Sequence, residues 1–428
     1  MQPEGGLVLR FIIVGGGLAG LATAIALAQQ NHLVSILEAQ ESFSQIGAGI
    51  QLPPNCCKIL KHLGILESVR QLSTIPQEID FLSYRNGELL CRTALAPDTE
   101  TDYGAPHLVV HRGRLLGVLL QKAEELGVNL HTNCAVTRID FDSPAVFTND
   151  GRKFTADVVI GADGSRSSCL AALDGTSISQ RRPRKMVYRL TLPSHVLKMH
   201  EDTVHLVSPA KITYWMGPAA HVVCYDLTHD GVCNMVLIKN MPEPTSAQRG
   251  PGFDAITELE ETFRDWDPVL SHVIKLADTV RFWPLQQARI AEKWTHEGGK
   301  FVLIGDASHT MATYLAQSAA QAFEDAALLG ELFARIQSIH QVGDALRIFE
   351  LVRKERVASI ARVSEIIGEI GELEDGALQQ ERDRQLKEMT PSAGYANPYS
   401  DPSVRKILYE YDLIADVDLA WKRYERGG

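Results

Sequence analysis

FIIVGGGLAGLATAIALAQQNHLVSILE, residues 11–38, decides the fold. Its first four residues are apolar and rich in β-branched side chains, the pattern of a buried parallel strand. Gly15-Gly16-Gly17-Leu18-Ala19-Gly20 follows at once and satisfies G-x-G-x-x-G. The stretch 18–29 is dense in Ala and Leu and predicts a helix. A second strand over 33–37 runs into Glu38. Gly15 permits the tight turn, Gly17 lets the backbone approach a pyrophosphate, and Gly20 lets the helix pack on the strand. Leu18 and Ala19 begin the helix, whose free N–H groups and positive dipole end face the phosphates. Glu38 lies 18 residues past Gly20. A carboxylate there accepts bonds from both ribose hydroxyls and disfavours a 2′-phosphate, so the adenosine is that of FAD or NAD rather than NADP. A Gly-rich turn without a ligand would not need strand, helix and acid together.

Composition narrows the class. A chain of 428 residues is long enough for two or three domains and a large core. No run of about 18 apolar residues predicts a transmembrane helix, and the first residues, MQPEGGLVLR, show no basic-then-apolar signal peptide. The net charge is −11 without a long basic block, which argues against nucleic acid as a partner. Seven scattered cysteines without C-x-x-C spacing fit reduced cytosolic thiols, and hence a cytoplasmic protein, rather than a disulfide framework or a zinc site. Adjacent Cys56 and Cys57 read as buried fillers.

Outward from the first unit, a helix is expected over 56–63 with Asn55 as N-cap, and another over 66–72. From 79 to 92 the period changes to two, with Asn86-Gly87 between the arms, a hairpin signal. His111-Arg112 opens a helix over 112–126. Strands follow over 128–131, 136–140 and 154–160, the last running into Gly161-Ala162-Asp163-Gly164-Ser165. Between 181 and 280 the texture is mainly β, with strands over 185–192, 203–207, 211–216, 221–227 and 233–238 and helices over 253–266 and 268–276. A buried strand over 301–304 leads to Gly305-Asp306-Ala307-Ser308-His309, then helix over 317–340 and 342–371. The rest reads as a partly helical appendage, packed on the core or partly loose, interrupted by Pro, Gly, Asn and Ser over 390–402.

Three Gly-containing turns thus follow three buried strands: Gly15 to Gly20, Asp163-Gly164 and Gly305-Asp306. With VGGGLAGLATAIALAQ, GAGIQLPPN, HRGRLLGVLL, DVVIGADGSRS, HVVCY and FVLIGDASHTMATYLAQSAAQAFEDAALL, the set resembles the FAD-dependent group A aromatic monooxygenases. These are the p-hydroxybenzoate and salicylate hydroxylases, and the texture is that of fungal enzymes of secondary metabolism. The resemblance spans roughly 11–411.

It implies an α/β fold: a Rossmann-like FAD-binding domain of glutathione-reductase type, an inserted, mainly antiparallel β substrate domain and a C-terminal helical region. Expected limits are 1–75, 105–180 and 285–340 for the FAD domain, 76–104 and 181–284 for the substrate domain, and 341–428 for the helical region. It implies that Gly15, Gly17, Leu18, Ala19, Gly20 and Glu38 hold the ADP half of FAD, with Ala48 and Arg112 also on the cofactor. Asp163 would serve FAD and a passing NADPH, Asp306 the ribityl hydroxyls. The helix that begins near Gln317, with Ala319 in its first turn, would aim its dipole at the anionic reduced flavin.

The implied reaction is oxidoreductive. NADPH reduces FAD, O₂ adds to give a flavin hydroperoxide, and that species hydroxylates or epoxidises a small aromatic or alkene-bearing natural-product intermediate. No metal and no nucleophilic triad is called for, and His221 and His309 read as structural. Substrate contacts are expected from Arg189, Tyr214 and Tyr225, with Trp215 as a further aromatic wall; core packing is the competing reading of each aromatic residue. Trp283-Pro284 is expected on the strand returning to the flavin domain. Monomer and homodimer both remain open.

The chain departs from the family pattern at Thr310, Thr313 and Ser318, where the family has Pro, Pro and Gly, and at Leu170, where it has Arg. The first three positions lie on the loop that the family places against the flavin ring. They raise an alternative: a flavoprotein of this fold that is redox-inactive or works as an oxidase, cyclase or isomerase.

Overall fold

The strand Arg10–Val14 lies at the centre of a five-stranded parallel sheet. On one side it pairs with Val158–Gly161 and then Phe301–Leu303, on the other with Leu33–Leu37 and then Asn129–His131. These are the strands that carry the three glycine turns, so the sheet brings all three turns to one edge. The protein is described here from a computed structural model over residues 7–43, 49–175, 184–241, 254–286 and 288–427. The helix Leu18–Gln29 packs beside Ser318–Phe333, and a Cβ on Gly330 would lie 2.9 Å from that of Ala26. Small residues at that crossing let the two backbones approach closely.

A seven-stranded sheet covers this unit. Its order is Val280–Pro284, Lys185–Pro193, Val232–Asn240, Ala220–Leu227, Ile212–Gly217, Glu78–Ser83 and Leu89–Ala94. All pairs are antiparallel except Ile212–Gly217 with Glu78–Ser83, which is parallel. Period-two alternation gives the sheet two faces. The outer face, with Tyr188, Trp215, Val222, Cys224 and Leu237, packs on Ala255–Thr262 and Pro268–Lys275. The inner face carries Arg189, Tyr214, His221 and Tyr225 toward the parallel sheet.

Several sequence expectations fail for identifiable reasons. Residues 203–207 form a short 3₁₀ turn, Val204–Leu206, instead of a strand. Thr203 Oγ1 donates to the Leu197 carbonyl at 2.7 Å, and this local bond overrides β-branched propensity. The strand expected over 154–160 is broken into Lys153–Thr155 and Val158–Gly161, which belong to different sheets. Asn55 is not a cap: the helix Pro54–His62 starts after Pro53, with a proline in its first turn. The helix expected to reach 340 ends at Phe333. Trp215 faces the outer core, where its Nε1–H donates to Asp267 Oδ2 at 2.8 Å, so it walls no inner pocket.

The C-terminal part is fastened down. Helices Ala377–Glu388, Pro402–Tyr409 and Leu413–Glu425 follow the 30-residue helix Val342–Gly371. The Pro/Gly/Asn-rich interruption lies on the inner face, where Tyr395 and Tyr399 are buried beside Phe81 and Tyr214. Asn397 Nδ2 donates to Thr93 Oγ1 at 2.7 Å.

Candidate active site

The three glycine turns and the inner face of the large sheet enclose a cleft of about 550 Å³. Gly15 holds the first turn with φ +109°, and a Cβ there would sit 2.4 Å from the Ala162 carbonyl oxygen. Gly20 lies so close to Gly15 that a Cβ would be 2.0 Å from its carbonyl oxygen. Gly17 differs: a Cβ would meet no atom within 4 Å, because the residue faces the cleft. The Glu38 carboxylate accepts from the Gly16 N–H at 2.9 Å and the Gln40 N–H at 2.9 Å, and so locks the second strand to the turn.

Leu18, Ala19, Arg112, Asp306 and Ala319 line the same cleft as Gly17. Arg112 begins the helix Arg112–Glu125 and has no ion-pair partner among the described residues. Ser318 Oγ donates to Asp306 Oδ1 at 2.8 Å, which leaves the other carboxylate oxygen for a ligand. The helix Ser318–Phe333 has no side-chain cap on its N-terminus, so its first N–H groups remain free at the cleft. Ala316, just before it, takes a left-handed φ of +54°. Thr313 lines the cleft, and Thr310 Oγ1 donates to the Asp306 carbonyl. The Asp163 carboxylate is engaged at a helix start. It accepts from Ser167 Oγ, the Ser168 N–H and hydroxyl, and the Cys169 N–H, where it organises the start of Ser168–Asp174. Its backbone neighbours Ala162 and Gly164 line the cleft instead. Leu170 is buried in that helix. Ala48 lies outside the described residues.

Over this floor, Arg189 stacks on Trp283, its guanidinium carbon 4.9 Å from the ring centroid. Its Nε is buried and makes no hydrogen bond within the protein. Burial, and then the positive charges of Arg112 and Arg281, pull its proton affinity below the ordinary value despite nearby Tyr225. Tyr225 packs on Gly49, and burial pushes its phenol well up, so it stays protonated at neutral pH. Tyr214 stacks on Phe81 at 5.0 Å and bonds Tyr399 at 3.1 Å; its hydroxyl also accepts from Gln51 Nε2 at 3.3 Å. Gln51 Oε1 is left buried without a partner.

His221 is in the cleft wall. Its Nδ1 lies 2.9 Å from Glu372 Oε1 at the end of the long C-terminal helix. Glu372 also holds Lys185 Nζ at 2.5 Å. Burial alone would raise the Glu372 carboxyl; the His221 and Lys185 contacts outweigh it and hold it below the usual range. An ionised Glu372 accepts, so the His221 Nδ1 carries the proton of that bond. His309, fully buried, holds Asp325 Oδ2 at 2.7 Å and serves the scaffold.

Beneath the cleft lies a buried charge network. Arg353 donates to Asp325 Oδ1 and Glu324 Oε2, each at 2.7 Å, and to Gln321. Arg356 forks onto Glu324, and Asn55 Nδ2 donates to both Glu324 and Gln317. Asp325 in turn accepts the Gly305 N–H at 2.8 Å. The network ties the long helix to two of the loops that line the cleft. Its one sequence signal is spacing: Gln321, Glu324 and Asp325 fall at i, i+3 and i+4 on a mostly apolar helix, and Arg353 and Arg356 at i, i+3 on another.

An open glycine cradle, a free arginine, a half-satisfied aspartate and an uncapped helix end fit a dinucleotide with a flavin ring. Fold and site together define a flavoprotein of the hydroxylase type. A family model described as "FAD binding domain" matches residues 9–364. The FAD-dependent monooxygenase OpS4 of Beauveria bassiana (strain ARSEF 2860) is 32% identical over 96% of this chain and 97% of its own length. The 3-hydroxybenzoate 6-hydroxylase of Klebsiella oxytoca is 31% identical over 89% and 92%. Among solved structures, a salicylate hydroxylase substrate complex aligns over 96% of this chain and 98% of its own with a TM-score of 0.76 at 21% identity. The chain belongs to the FAD-dependent monooxygenases of the FAD-binding-domain family.

Proposed function

We propose that this enzyme uses FAD, NADPH and O₂ to place one oxygen atom on a small hydroxylated aromatic natural-product intermediate that carries a negative charge. The observation that carries this reading is the pairing of an imidazole, His221 on Glu372, with a half-buried guanidinium, Arg189, whose buried Nε makes no hydrogen bond within the protein, on one wall. Arg189 is level with Val236 and Val236 with Val223, so His221 lies two strands over and two residues along. That is about 12 Å between Cα atoms from strand spacing and rise. One aromatic ring with substituents at opposite ends spans it once the two side chains reach inward.

Bound FAD supplies the redox chemistry, accepting a hydride from NADPH and activating O₂. Gly17, Arg112, Asp306 and the helix end at Ala319 would hold it. Arg189 donates to the anionic group of the substrate in a charge-assisted bond. His221 Nε2 takes the proton from a ring hydroxyl, which raises electron density on the carbon to be attacked; Glu372 stabilises the imidazolium that results. Tyr214, Tyr225 and Trp283 exclude water from the ring.

The test is substrate-stimulated NADPH oxidation with a panel of hydroxybenzoates and their methyl esters. Arg189→Met is expected to raise KM for the acids roughly ten- to a hundredfold, as lost charged hydrogen bonds do, with little effect on the esters. Equal effects on both would remove Arg189 from substrate recognition.

A further inference from the structure

On the far side of the large sheet, three metal-ligating side chains converge. His200 and Asp202 come from the turn after Ser194–Lys198, and His272 from Pro268–Lys275. Their ligand atoms all lie within 4.8 Å of one another, the one such group among the described residues. Asp202 Oδ2 is 2.7 Å from His272 Nδ1, and the His200 and His272 rings meet at 4.7 Å and 76°. We propose that His200, Asp202 and His272 form a zinc-class metal site that clips the helix Pro268–Lys275 to the segment after Lys185–Pro193.

The donor set selects the ion. Two imidazoles and one carboxylate suit Zn²⁺, Co²⁺ or Cu²⁺ and offer too few oxygens for Ca²⁺ or Mg²⁺. Three protein ligands leave a fourth position for water. The geometry needs little movement. A tetrahedral ion with ligands at about 2.05 Å spaces them about 3.3 Å apart. Asp202 therefore retreats by about 0.6 Å from its 2.7 Å contact, and His200 closes by at most about 1.5 Å. Asp202, with its side chain 48% exposed, is free to make that adjustment. The ion takes the place of the proton between Asp202 and His272, which a neutral ring carries on Nε2 instead.

The backbone beneath the ligands is fixed. Fully buried Thr203 bonds the Leu197 and His200 carbonyls, and Leu270, Val273 and Ile274 anchor the helix in the outer core. Ligands mounted on packed elements hold their positions better than ligands on loose loops. The site faces away from the cleft across the sheet, so the ion would act on the stability of the substrate-covering layer rather than on the oxygen chemistry.

The experiment uses the full-length flavoprotein, stripped with a chelator and titrated with Zn²⁺ by calorimetry, with Co²⁺ absorption as a second probe. The expected result is one ion per chain and a melting temperature raised by several degrees at saturating Zn²⁺. His200→Ala and His272→Ala should each abolish both effects, whereas exposed His195→Ala should keep them. These variants leave the flavin site intact, so bound FAD and substrate-stimulated NADPH oxidation report that each is folded. No saturable binding, or binding unchanged in His272→Ala, would overturn the site and leave only the His272–Asp202 ion pair.

Discussion

Arg353→Met removes the centre of the charge network under the cleft while keeping much of the side chain's volume. Arg353 is fully buried and makes hydrogen bonds to Asp325, Glu324 and Gln321. Breaking a buried pair on one side costs about 3–5 kcal/mol, because the surviving charge stays buried. Glu324 keeps Arg356 at 2.6 Å, and Asp325 keeps His309 at 2.7 Å and the Gly305 N–H. The lower end, about 3 kcal/mol, is therefore expected: roughly a hundredfold in the folded-to-unfolded ratio and about 5 °C in melting temperature. The pH dependence separates this from a packing defect. In the native protein burial favours the neutral acids, but the arginine and histidine contacts win: Glu324 is held at about 2 and Asp325 is also lowered. A depressed carboxyl stabilises above its unfolded value and loses that contribution only as pH falls through the folded one, so wild type is flat here between pH 8 and 5. In the variant burial is opposed at Asp325 only by His309 and the Gly305 N–H, so its carboxyl rises from its wild-type position and takes a proton at higher pH than in wild type; the deficit therefore shrinks as pH falls. Thermal melts across that range, read alongside flavin released on gel filtration, make the assay. A deficit below 1 kcal/mol with full FAD retention, or one constant with pH, would refute the network's role in holding the Gly305 loop.

Other residues give sharper local tests. Gly15→Ala should misfold or melt much earlier, since its Cβ would strike the Ala162 carbonyl, whereas Gly17→Ala should keep the apoprotein's melting temperature and lose FAD affinity by at least about tenfold. Asp306→Ala should purify largely free of flavin, while Ser318→Ala, which frees the second carboxylate oxygen, should keep it; full occupancy in Asp306→Ala would misplace the ribityl site. His221→Gln should lower kcat about 10²- to 10⁴-fold with FAD content unchanged. Glu372→Gln should lower kcat less and shift its pH profile, which is read from steady-state rates over pH 6–9.

Much of this was legible in the residues. The first unit from Arg10–Val14 through Leu33–Leu37 reads directly, because a strand, a glycine turn and a helix specify one another locally. The β texture of the covering sheet reads too, since alternation survives in each strand. Alternation does not say which face turns inward when both faces are buried, so pocket wall and core packing both stay open for Trp215 and Tyr214 until the structure turns the first outward and the second inward. Long-range polar partners are the other blind spot. Glu372 meets His221 across 151 residues and Glu324 meets Asn55 across 269, and no local pattern encodes either pairing. Asp163 shows a motif residue whose side chain serves a helix start while the adjacent backbone faces the cleft.

The measurement that bears most directly on the central claim is turnover of the FAD-loaded protein with NADPH under ¹⁸O₂, with product mass and NADPH consumption recorded together. One ¹⁸O atom per product molecule, with NADPH oxidation stimulated by substrate and abolished by removing the flavin, is the expected result. Product that forms without O₂ or carries oxygen from water would contradict the monooxygenase account, and so would bound flavin that NADPH never reduces in the presence of substrate.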